Sequence, residues 1–231
     1  PATTSAGTMI EGYHGEIVEL LPALPIGESY RHHLAWVRES LEQVSAFLRW
    51  IAAHAERASR DVAFESRPTA FVFFRTPTPT YPSAFVLDGN IGYNLEGPLH
   101  TNAREMHETL FHELFHLNDA KHGVWSEGTL TPIFESIIER CGEEDSCLRP
   151  FAPHHSMVPN GTYYPFDERT RDVREYAAEI ALRYYLEHEA ILESREPLAP
   201  WKCAAEENQS AWDAVVDEFF GGVDLTAKCG S

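Results

Sequence analysis

Leu34, Val37, Leu41, Val44, Leu48 and Ile51 recur at intervals of three and four through SYRHHLAWVRESLEQVSAFLRWIAAHAER. That spacing puts apolar side chains on one stripe and predicts an amphipathic helix from Ser29 to about Arg57. Its histidines His32, His33 and His54 read as surface residues rather than ligands. Before it, residues 1–27 carry two prolines in LLPALPIG and read as an irregular lead-in. After it the period shortens to that of strands, in AFVFFRT at 70–76 and SAFVLDGNIGYNL at 83–95. TPTPTYP separates the two runs as a turn, and Asp88-Gly89-Asn90 marks a turn inside the second. Helical spacing then returns at 106–123, near 131–140, over about 171–194 and over about 207–220. Between the second and third of these lies a long irregular stretch through PFAPHHSMVPNGTYYPF. Strands early and helices late predict an α+β fold with a small sheet.

Charge narrows the functional classes. The 231-residue chain has 36 acidic and 18 basic side chains, a net charge of −18. Phosphates would be repelled and no basic cluster stands out, so non-specific nucleic-acid binding is not expected and no nucleic-acid partner is predicted. No run approaches the ~18–20 apolar residues that a membrane span requires. The four cysteines fall at 141, 147, 203 and 229. They allow three pairings, of which neighbour with neighbour is the simplest, and none forms a CxxC arrangement suited to zinc. Paired cysteines would place the protein outside the cytosol. The chain starts at Pro1, as expected where a leader has been removed.

The chemistry concentrates in MHETLFHELFHLNDAKHG at 106–123, with Thr101 and Asn102 as candidate helix N-caps. His112-Glu113-Leu114-Phe115-His116 is HExxH. On a helix its two histidines lie one turn apart and can reach one cation, with Glu113 beside it as a proton acceptor. Met106, Leu110, Phe111, Leu114, Phe115 and Leu117 predict burial, where imidazoles and carboxylates need a partner such as Zn2+. A catalytic zinc takes three protein ligands and a water, and two residues compete for the third place.

The near candidate is His122, giving HExxHxxDxxH. This is similar to the metzincin motif HExxHxxGxxH, with Ser156-Met157 as its methionine turn. That arrangement needs the chain to leave the helix at position 119, where this sequence has Asp instead of Gly. A helix continuing to Gly123 would turn the His122 ring about 240° away from His116. The far candidate is Glu175, four residues before Glu179 on a stripe that continues into Leu182 and Leu186. There Glu175 would bind the metal and Glu179 would accept a ligand histidine N–H.

HELFHLND at 112–119 and EYAAEIAL at 175–182 together resemble the gluzincin metallopeptidases, particularly the family of the anthrax lethal factor catalytic domain. The resemblance spans roughly residues 100–190. It implies a zincin-like fold: one catalytic domain with an N-terminal lobe to about residue 122 and a mainly helical C-terminal lobe from about 123. It also implies zinc on His112, His116 and Glu175, Glu113 as general base, and a tyrosine that donates to the oxyanion. Tyr163 and Tyr164 are the nearest tyrosines, and Tyr164 is the one chosen. The expected activity is that of a secreted endopeptidase acting on peptide or protein substrates. The rival expectations are a metzincin-like peptidase using His122 and a non-enzymatic protein whose zinc is structural, with His107, His122 or His154 as fourth ligand. Hydrolysis of an amide or ester outside a protein backbone is a further one.

Overall fold

The computed structural model describes residues 8–11, 17–23, 25–68, 70–78 and 81–230. In chain order the elements are β1 (Thr8–Glu11), β2 (Ile17–Pro22), α1 (Arg31–Ala55), β3 (Phe71–Arg75), β4 (Ala84–Leu87) and β5 (Asn90–Asn94). Then follow α2 (Ala103–Lys121), α3 (Trp125–Cys141), α4 (Asp145–Leu148), α5 (Val173–Leu192) and α6 (Glu206–Phe219). The α+β class holds. The chain forms two compact units, residues 1–45 with 65–117 and residues 46–64 with 118–231.

The first unit holds a five-stranded mixed sheet in the order β1-β2-β3-β5-β4. Only β3 and β5 run parallel; the other neighbours are antiparallel. β1 and β2 correct the irregular lead-in expected before residue 28, of which residues 1–7, 12–16 and 24 lie outside the described residues. In β2 Val18 and Leu20 alternate inward and join Phe74, with Ile10 and Phe85 packed against them. Asp88 and Gly89 both have positive φ, 50° and 75°, and close the β4–β5 hairpin. Phe85 lies opposite Gly92, where an added Cβ would come within 2.5 Å of its ring. The glycine admits the ring, and the ring covers the gap left in the strand. In the TPTPTYP turn, Pro79 and Thr80 lie outside the described residues.

Two expectations on α1 change. Leu34 is 43% exposed, and the buried stripe instead runs through Val37, Val44, Phe47, Leu48 and Ile51. His33 is buried, whereas His32 is exposed and His54 half-buried.

In the second unit α5 packs against α3 and α6. From Tyr176 to Ala190 every α5 side chain except Arg183 is buried, so the helix is enclosed on all sides rather than along one stripe. α3 begins earlier than its periodicity predicted and carries Pro132 inside it. The short α4 interrupts the stretch expected to be irregular. The disulfides join Cys141 to Cys147 and Cys203 to Cys229, the neighbour pairing. Among the described residues no helix is long and apolar enough to cross a membrane.

Candidate metal centre

α2 starts where Asn102 accepts the backbone N–H groups of Arg104 and Glu105, both at 3.0 Å. This satisfies two of the amides that a helix start leaves unpaired. Met106, Leu110, Phe111, Leu114 and Phe115 are almost fully buried, as expected, whereas Leu117 is only half-buried. The helix passes Asp119 without a break and ends at Lys121, two residues before Gly123, whose φ is +77° and whose N–H returns to the Ala120 carbonyl.

His112 and His116 lie one turn apart and half-buried, with their Nε2 atoms 3.0 Å apart. On α5, Glu175 brings a carboxylate oxygen to them: one ligand atom from each of His112, His116 and Glu175 lies within 4.8 Å of the others. Two ligands at ~2.0–2.1 Å on a tetrahedral zinc would be roughly 3.3 Å apart, close to the observed imidazole spacing. Two imidazole nitrogens and one carboxylate oxygen are donors that zinc accepts. The residues present therefore fit the ion.

Glu113, on the same turn as His112, is 7% exposed. Glu175 sits in the first turn of α5, whose N-cap Asp172 accepts the Arg174 N–H at 2.8 Å. Glu179, one turn on, is buried rather than a solvated surface glutamate. Burial pushes its carboxyl well above the usual range and the charge of Glu175 adds to this, while the backbone N–H of His154 partly offsets both. Its Oε2 has no hydrogen-bond partner among the described residues.

The rival ligand goes elsewhere. His122 Nδ1 lies 2.6 Å from Glu218 Oε1, with its ring 5.0 Å from that of Phe219. His122 is not part of the group formed by His112, His116 and Glu175. Asp119, the position that would have to break the helix, is buried and caps α3: it accepts Ser126 N at 2.8 Å and Ser126 Oγ at 2.7 Å. That role had no signal in the sequence, because Ser126 reads as an ordinary polar residue.

Tyr164 is half-buried in the segment between α4 and α5, with its backbone N–H bonded to the Ser156 carbonyl at 2.9 Å. Its own carbonyl accepts from Thr170 Oγ1. Tyr163 is buried and bridges to Met157, so Ser156-Met157 belongs to this same small turn. Asp167 fixes the turn by accepting Thr162 N and pairing with Arg169 at 2.7 Å. A Cβ added at Gly161 would meet the Asp167 carboxylate and the Arg169 guanidinium, so a larger residue there would have to displace that ion pair. His154 Nδ1 lies 2.7 Å from Ser156 Oγ. No protein-family model, curated protein or solved structure matches the chain.

Proposed function

We propose that the chain is a zinc-dependent endopeptidase of gluzincin type that works outside the cytosol. One observation carries this reading: His112, His116 and Glu175, the last nearly sixty positions away, bring their ligand atoms within 4.8 Å of one another. Three protein donors leave a coordination position open, as in catalytic rather than structural zinc sites. The two disulfides fit an oxidising compartment.

When bound there, zinc lowers the pKa of a water toward ~7 and polarises a carbonyl. The carboxylate of Glu113 takes a proton from the attacking water and delivers it to the leaving amine. The Tyr164 hydroxyl donates to the oxygen that becomes negative in the tetrahedral species. Glu179, enclosed one turn beyond Glu175 and held by the backbone N–H of His154, steadies the first two turns of α5 and thereby the position of Glu175. Among the described residues β4 is an edge strand of the sheet, and its outer side offers backbone groups with which an extended peptide substrate pairs.

Glu113→Ala tests the chemistry separately from the metal. The variant is expected to bind zinc as wild type does and to lose roughly 10²–10⁴-fold in peptide hydrolysis. Undiminished turnover by a pure preparation would remove Glu113 from the mechanism. A wild type that holds zinc stoichiometrically and cleaves nothing in a broad peptide library would favour a structural metal.

A further inference from the structure

His188 lies on α5, nine residues or about two and a half turns beyond Glu179, and is completely buried. Its Nδ1 sits 2.9 Å from the Tyr184 carbonyl, which can only accept, so Nδ1 carries a hydrogen. Its Nε2 sits 3.0 Å from the backbone nitrogen of Leu225, whose N–H donates to it, so Nε2 must be bare. Only the neutral, Nδ1-protonated ring satisfies both bonds. The segment it holds is anchored on either side: the Tyr184 hydroxyl donates to the Val223 carbonyl at 2.8 Å, and Asp224 accepts from Trp212 Nε1 at 3.0 Å. Lys202 also pairs with Asp224, and the Cys203–Cys229 disulfide ties the chain just beyond.

We propose that residues 223–226 form an acid-sensitive latch, closed by the neutral His188 ring and released when Nε2 takes a proton. Protonation sets a hydrogen on Nε2 against the Leu225 N–H, two donors face to face. Asp224 Oδ1 is 3.9 Å from Nε2, too far for a hydrogen bond, and is already engaged by the Thr226 N–H and hydroxyl at 3.0 and 2.7 Å. The new donor can reach it only if the segment moves. The disulfide limits that movement and makes it reversible.

The groups facing the ring are Asp224, which favours its charge, and Lys202 and His54, which oppose it. The rings of Tyr184 and Trp212 lie 4.0 and 6.2 Å away. Burial outweighs the rest and brings the closed-state pKa down to about 4. Against ~6.5 for a free histidine, the closing equilibrium weakens about twentyfold between pH 7 and pH 5.

Amide hydrogen exchange at Leu225, corrected for the intrinsic rate and measured on the full zinc-loaded chain, tests the latch. Protection should fall about twentyfold from pH 7 to pH 5 in wild type, while Ile180 and Ala181 in the middle of α5 stay protected. In His188→Gln the side-chain oxygen accepts the same N–H without titrating, and the pH dependence should vanish. Should that variant fail to fold, imidazole 15N resonances of the wild type decide, with Nε2 bare at pH 7, still mostly bare at pH 5 and taking its proton toward pH 4, where Leu225 protection falls further. Leu225 protection that stays flat to pH 5, or that persists while His188 titrates, would overturn the latch. So would an equal pH dependence in His188→Gln.

Discussion

Asp119 is the residue whose place in the motif and place in the fold differ most. As the eighth position of HExxHxxD it sits three residues past His116, yet its carboxylate is spent on Ser126 at the start of α3. Ser126 is itself fully buried, so removing the acceptor strands a buried amide and hydroxyl. Asp119→Ala should lower the free energy of unfolding by about 1–3 kcal/mol in urea titrations and leave zinc stoichiometry unchanged. An unaltered urea midpoint would mean that α3 does not need this cap. His112, Glu113, His116 and Glu175 were legible because i,i+4 spacing on strong helices places side chains regardless of what surrounds them. His33, buried against Tyr93, was not, because the element that covers it lies sixty residues away. Glu179 was legible as an enclosed carboxylate, but its bond to the His154 backbone depends on an irregular turn that no periodicity describes.

Among the elements, the long helices and the β4–β5 hairpin follow from the sequence. Their periods persist over several turns or end at a residue pair such as Asp88-Gly89 that favours the required backbone. β1 and β2 escaped notice because four and six residues carry little periodic signal, and the prolines around β2 read as breakers. α5 shows the other limit. Its sequence suggests one apolar stripe, whereas the structure buries nearly the whole circumference, including Glu187, His188 and Glu189. Those residues are tolerated through partners that sequence spacing does not reveal. Glu187 accepts from Arg183 Nε at 2.6 Å and from Trp201 N at 2.9 Å, and Glu189 pairs with Arg195 at 2.7 Å. Such carboxylates look like an outer helix face until their donors are placed.

At the scale of the molecule, pH should act first through buried histidines. His33 and His100 are nearly fully buried, and burial lowers each pKa to about 4, assisted for His33 by neighbouring His32 and His100. His100 Nδ1 donates to the Asn94 carbonyl at 2.7 Å, and its Nε2 has no hydrogen-bond partner among the described residues. The unfolded chain, with histidine near 6.5, binds these protons more readily than the folded one. Stability from this source is therefore complete above pH ~6.5 and drains away as pH falls toward 4. For His100 alone the loss is at most about 3 kcal/mol. Urea midpoints of the metal-free chain should drop between pH 7.5 and pH 4.5, and less steeply in His100→Gln. A midpoint constant across that range would show that these rings are protonated at no cost.

The central claim is that one zinc ion is held by His112, His116 and Glu175. Metal content of wild type, Glu175→Ala and His122→Ala, dialysed against the same trace of free zinc, tests it most directly. One zinc per chain in wild type and in His122→Ala, with little in Glu175→Ala, is the predicted result. Zinc retained by Glu175→Ala, or lost from His122→Ala, would contradict it.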